Sequence, residues 1–368
     1  MKGLIASLGL LLCTPSIWSQ DFEKLKSDLD GFLQSEQITG AQVVIRENGH
    51  TVFSREMGTI AVQSKEPVTP ETLFLIASCS KPFASAITLS LLSESDFQME
   101  LDSPISKWLP EYSNPRIRIG KAAKRSPNIG ELLGHQAGIY SQRFRMTRAQ
   151  TRWIRNFDHT LKEAAEGISR SPLIFEPGTD YAYSGAGYCV LGRVCEVATE
   201  KDIETLLQEK VCKPLGLEHT TYFPARSFSN DQIATGFNPK SAPHTLGPKH
   251  KFALVGGSLY SNASDMALFA EALFKTIHQQ SGKPPLPISS GLAAKLTEPA
   301  SEKQKYGLGW SVQKKDGLHR LSHSGSLQSY RAWIAIDLKT GRSIAACWTL
   351  AKTGRNVPVI PLLQKQFK

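Results

Sequence analysis

The chain has 368 residues, 40% of them apolar and 21% charged, and carries a net charge of +10. This composition excludes a disordered or fibrous chain, and the length is enough to bury a large core in one big domain or two lobes. The nine histidines show no paired ligand spacing, the densest basic cluster (Arg116, Arg118, Lys121, Lys124, Arg125) has no interleaved aromatics, and no later stretch suits a transmembrane helix, so metal, nucleic-acid and integral-membrane functions are set aside.

Met1-Lys2-Gly3, the apolar run 4–12 and the small residues before Gln20 have the layout of a secretory signal, with cleavage expected after Ser19. An exported, periplasmic or extracellular protein is the expectation. Leu12 is bulky where a lipoprotein signal wants a small residue, so a lipid anchor is not expected at Cys13. Five cysteines then remain, widely spaced and odd in number, which is no disulfide framework. Residues 21–36 read as a helix, with Phe22, Leu25, Leu29, Phe32 and Leu33 near 3.6-residue spacing. Residues 41–46 and 51–57 read as strands joined through Asn48-Gly49, a strong hairpin signal.

Next comes Ile76-Ala77-Ser78-Cys79-Ser80-Lys81-Pro82-Phe83, followed by Ile87, Leu89, Leu91 and Leu92. The apolar run predicts a buried helix with Ser78 at its start and Pro82 in its first turn. Further helical pieces are expected at 101–110, 129–133, 146–165, 188–198, 204–211 and 262–275, with 181–185 in extended or loop form. After about Pro299 the pattern turns to strands at 306–312, 318–322, 330–336 and 342–350, with a tight turn at 338–341 and a closing helix over 357–367. Strands at both ends and helices between predict a mixed α+β fold. An antiparallel sheet is built from the N- and C-terminal segments and flanked by helices, with a mostly helical lobe inserted. The expected boundaries are 1–19 for the signal, 20–77 plus 290–368 for the sheet lobe and 78–289 for the helical lobe, together one catalytic domain. The serine helix would start where the lobes meet, a common position for a cleft.

Three polar elements are candidates for that cleft. Ser78 and Lys81 stand three apart and share a helix face. A serine is a weak nucleophile until a base takes its proton, and a lysine is such a base only when burial and a helix N-terminus lower its pKa. Tyr183, after the Pro177-Gly178 turn, could relay a proton. His323-Ser324-Gly325 is read as opening the strand that leads to Trp333, with a glycine that lets a ligand approach and a backbone N–H beyond it for an oxyanion. Taken singly, each has a plainer reading: an N-cap serine with a solvated lysine, a core tyrosine, and a surface histidine in a turn.

Taken in order, these stretches resemble the serine β-lactamase-related family of class C-type β-lactamases, D-alanyl-D-alanine carboxypeptidases and esterases. Residues 76–81 are similar to the nucleophile motif and 323–325 to the third motif. Segments 101–109, 132–138, 177–192, 214–217, 256–265 and 306–310 are similar to further family blocks, so the likeness spans nearly the whole mature chain. The resemblance implies a β-lactamase/transpeptidase-like fold and an acyl-enzyme on Ser78. Lys81 and Tyr183 would share the proton work, and the N–H groups of Ser78 and Ser326 would line the oxyanion hole. It implies no cofactor and no metal, and a small-molecule or peptide substrate with an amide, β-lactam or ester bond; a monomer is the separate expectation. Two positions depart from the pattern. Tyr183-Ser184-Gly185 has glycine where the second motif usually has asparagine, and His323 replaces the lysine that often opens the third motif. Lys-Thr-Gly occurs at 339–341 and 352–354, but as a hairpin turn and after the last strand. A dedicated esterase of the same fold and a catalytically silent peptidoglycan-binding protein are the competing readings. No G-x-S-x-G elbow is present for an α/β-hydrolase.

Overall fold

The computed structural model describes residues 17–35, 37–118, 120–143, 145–237, 250–279, 283–300, 304–315, 317–352 and 358–367. Cys13, most of the expected signal, Val357, and the Thr353 and Gly354 of the second Lys-Thr-Gly lie outside those residues. The chain opens with α1 (Ile17–Gln34) and the hairpin of β1 (Ile38–Glu47) and β2 (His50–Gly58). Its two turn residues, Asn48 and Gly49, take φ of 50° and 86°, as a primed two-residue turn requires. Short β3 (Phe74–Leu75) leads through one 3₁₀ turn into α2 (Ser80–Leu92). The middle of the chain supplies α3 (Ile129–Leu133), α4 (Arg148–Arg155), α5 (Leu161–Ser169), α6 (Gly185–Thr199), α7 (Ile203–Leu207), α8 (Lys213–Leu215), β4 (Tyr260–Ser261), α9 (Ala263–His278) and α10 (Ser290–Lys295). It ends with β5 (Ser311–Lys315), β6 (Leu318–Leu327), β7 (Tyr330–Asp337), β8 (Ser343–Leu350) and α11 (Val359–Gln364).

Six strands form one antiparallel sheet in the order β2-β1-β8-β7-β6-β5, so the first strand pairs with the last. The mixed α+β architecture read from the sequence is therefore present. Side chains alternate across each strand, and the two faces bury two different cores. Val43 and Ile45 of β1 pack with Leu25, Leu29 and Leu363 of α1 and α11, whereas Val44 joins Phe83, Ile87 and Phe269 of α2 and α9. All of α2 from Ser80 to Leu91 is buried. A helix buried on every side lies at the centre of a protein, and this one carries Lys81 inward with it.

Several elements differ from the sequence reading. Residues 146–165 are two helices, because Thr147 with Gln150 and Thr160 with Glu163 form a capping box at the start of each. The helix expected over 204–211 is α7 followed by a wider turn at Gln208–Cys212. The expected piece at 101–110 holds only short 3₁₀ turns, Ile105–Lys107 and the start of Pro110–Tyr112. The strand expected from Tyr306 begins at Ser311, since Gly309 turns the chain at φ 84°. His323-Ser324-Gly325 does not open the strand to Trp333; it lies in the second half of β6, with Trp333 opposite Ser324 on β7. The five described cysteines are buried and free.

Candidate active site

Ser78 sits in the 3₁₀ turn Ala77–Cys79 ahead of α2. Ala77 takes φ 48°, a left-handed conformation uncommon outside glycine, so the turn needs fastening. Ser80 supplies one fastening: its hydroxyl donates to Ala77 O at 2.5 Å and accepts the Leu259 N–H at 3.1 Å. Strand β6 supplies another. Gly325 lies so close that a Cβ there would fall 2.1 Å from Ile76 O, and Cys79 Sγ donates to His323 O at 3.4 Å. A side chain at 325 would push the strand away from the serine.

Lys81 follows one turn later and is 1% exposed. Its Nζ donates to Gly256 O at 2.7 Å, stands 3.4 Å from Ser78 Oγ and lies 4.5 Å from the Tyr183 ring centre. Among the described residues no carboxylate pairs with it. Burial therefore pulls the amine from its ordinary value down to about 7, and the Arg143 cation adds to the effect.

Tyr183 is carried by the extended segment before α6, and His135 holds that segment. His135 O accepts the Ala182 N–H at 2.9 Å and His135 Nδ1 accepts the Ser184 N–H at 3.1 Å, while Ser141 Oγ donates to Tyr183 O. The phenol is buried and lines the same cavity as Ser78; burial raises it well above the usual tyrosine range. It is a neutral phenol at ordinary pH.

His323 is buried, not the surface residue of the plainer reading. Its Nδ1 meets Ser324 O at 2.9 Å and its Nε2 meets Tyr306 Oη at 3.0 Å. A carbonyl only accepts, so Nδ1 carries the proton and Nε2 receives the Tyr306 hydroxyl. Burial drops the imidazole to about 3, so it is uncharged. Ser324 lines the cleft beside it, and Ser326 lies at the cleft centre with Ser78.

The cleft thus gathers Ser78, Lys81, Tyr183, His323, Ser324 and Ser326, with Gly325 as backing. Other residues there were not singled out in the sequence. Gln142 Oε1 accepts the Gly185 N–H at 2.8 Å, and a Cβ at 185 would lie 3.3 Å from Gln142 Nε2. A carboxamide from a distant loop fills the space that a side chain at Gly185 would take. The Arg143 guanidinium stacks 4.6 Å from the Tyr183 ring centre and brings a cation to the side of His323. No local pattern in the sequence marks either, because only the fold brings their loop to α6.

The family model described as Beta-lactamase matches residues 25–366. The chain belongs to the Beta-lactamase family. Among its relatives, esterase EstB of Burkholderia gladioli is 28% identical over 222 residues, covering 57% of this chain and 55% of the relative. A protein of Escherichia coli (strain K12) provisionally named D-alanyl-D-alanine carboxypeptidase is 28% identical over 278 residues, covering 69% and 62%. The chain spans between 55% and 62% of the length of such curated Beta-lactamase relatives. Among solved structures, EstCE1, a hydrolase with promiscuous acyltransferase activity, superposes with a TM-score of 0.80 at 20% identity, over 95% of this chain and 99% of that one. Esterase, carboxypeptidase and D-aminopeptidase names among the relatives make this a serine hydrolase family.

Proposed function

We propose that this protein is an exported serine hydrolase that opens an amide, β-lactam or ester bond through an acyl-enzyme on Ser78. The observation that carries the reading is the uncharged-capable amine of Lys81, buried 3.4 Å from Ser78 Oγ with no carboxylate among the described residues to hold it protonated. Tyr183 is too strongly held as a phenol to be the base, so Lys81 takes the serine proton and Tyr183 hands it on. The Ser78 oxygen bonds to the carbonyl carbon, and the N–H groups of Ser78 and Ser326 face the oxyanion. As the bond to the leaving nitrogen or oxygen breaks, that atom receives the proton through Tyr183. Water then repeats the steps on the acyl-enzyme. Export rests on the N-terminal signal pattern, and cell fractionation tests it.

Esters are the better substrates. The neutral His323 offers no fixed charge to a β-lactam carboxylate, and Gly185 offers no side chain to its amide. Arg143 favours a second reading, a D-amino-acid peptide whose terminal carboxylate pairs with that guanidinium. Incubation with a fluorophosphonate, read by intact mass, gives a single adduct on the wild type and none on Ser78→Ala. Turnover of a p-nitrophenyl ester exceeds that of a cephalosporin. An unlabelled wild type supports the silent binding protein, and a cephalosporin turned over faster than the ester reverses the ranking.

A further inference from the structure

Ser78 stands between two cavities of opposite character, which share Ser78, Gln142 and Ser326 as a common wall. One has a volume of about 360 Å³ and is bounded by Arg143, Tyr181, Tyr183, Tyr306 and His323, all with polar tips. The other has a volume of about 160 Å³ and is walled by Ile154, Phe157, Leu254 and Leu327, with Lys81 also in its lining. A substrate carbonyl on Ser78 must send its two halves in different directions, and proton delivery decides which goes where. Tyr183 borders only the polar cavity. The atom that leaves needs that proton, so the leaving group lies on the Tyr183 side. The acyl half, which stays bonded to Ser78, is left with the apolar cavity.

We propose that the pocket of Ile154, Phe157, Leu254 and Leu327 selects the acyl half of the substrate, taking one compact apolar group of about the bulk of a six-membered ring. The proposal rests on the reading of Ser78 as nucleophile. Its size limit follows from volume, because a dry cavity of about 150 Å³ lined by leucine, isoleucine and phenylalanine holds one benzene. Arg155, Gln142 and Gln328 also line the cavity and allow a polar atom beside the apolar walls. Transfer of each methylene into such a pocket multiplies kcat/KM by about fourfold until the pocket is full. A longer chain then has to leave an end outside.

The test is a set of p-nitrophenyl esters with one leaving group and varied acyl groups: acetate, butyrate, hexanoate, dodecanoate and phenylacetate. On the wild type, kcat/KM is expected to climb from acetate, peak at hexanoate or phenylacetate, and fall for dodecanoate. Leu254→Trp fills the cavity and lowers the phenylacetate-to-acetate ratio by about tenfold or more. Leu254→Ala enlarges it and moves the optimum to longer acyl groups, an opposite shift that keeps the test open if the tryptophan variant misfolds. A flat acyl profile, or Leu254 variants that respond to the alcohol half and not the acyl half, overturns the assignment while a Ser78 fluorophosphonate adduct leaves the hydrolase reading standing. No ester turnover together with no adduct at Ser78 overturns both.

Discussion

The most consequential residue is an amine held where water cannot reach it. Lys81 gives up its proton near pH 7 because burial, more than any neighbour, disfavours the cation. As the base it must be uncharged, so kcat/KM rises through an apparent pKa near 7 and levels above it. A profile that stays flat from pH 5 to 9 would remove Lys81 from that role. The same shift has a cost in stability, and its sign can be worked out. The folded pKa lies below the unfolded one, so between about 7 and 10.5 the unfolded chain holds a proton that the folded chain lacks. The penalty is complete below about 7, approaches about 5 kcal/mol as an upper limit, and fades as pH rises toward 10.5. Lys81→Met, which keeps the apolar stem, is therefore inactive yet more resistant to urea at pH 7, with the advantage shrinking at pH 10. Equal or lower resistance at pH 7 would show that Nζ–Gly256 bonding outweighs burial.

At the scale of elements, the site is a contact between a turn and a strand. Strand β6 reaches the Ser78 turn only because residue 325 has no side chain. Gly325→Ala puts a methyl against backbone and not against a flexible side chain, so β6 and Ser326 must shift. The expected result is a loss of about 1–3 kcal/mol in urea unfolding and a fall in fluorophosphonate labelling rate of about tenfold or more. Labelling at the wild-type rate would mean that the strand position does not matter to Ser78. Elements of this kind divide sharply in how far the sequence discloses them. The β1–β2 hairpin was legible because Asn48 and Gly49 carry their own backbone preference. Helix α2 was legible from its apolar run, and the convergence of Ser78, Lys81 and Tyr183 from an ordered set of motifs. The break between α4 and α5 was written in two capping boxes that the helical pattern over 146–165 masked. The extent of β6 was not legible, because His323, Ser324 and Ser326 are poor strand formers held in place by β7. Gln142 and Arg143 could not be found at all, since nothing local marks a loop that matters only through what it touches.

Across the whole molecule, one sheet joins segments from opposite ends of the chain, and β1 is its seam. Pairing of β1 with β8 closes a loop that contains every helix from α2 to α10. Such distant pairings give nothing back until most of the chain is ordered, which makes the native sheet slow to form and all-or-none in its loss. Gln42, 1% exposed in the middle of β1, ties that seam to the helices. Its Nε2 donates to Thr69 O at 2.6 Å and Thr72 O at 3.1 Å, and its Oε1 accepts the Ala263 N–H at 2.9 Å where α9 begins. On β8, Cys347 Sγ reaches the same oxygen at 3.4 Å. Gln42→Leu keeps the approximate volume but strands these buried groups, each of which costs about 1–3 kcal/mol when left unpaired. The variant is expected to lose about 3 kcal/mol or more in urea unfolding with an unchanged slope, because α9 and the sheet fail together. A loss below about 1 kcal/mol, or a second transition in which the helices outlast the sheet, would show that the seam does not hold the two halves as one unit.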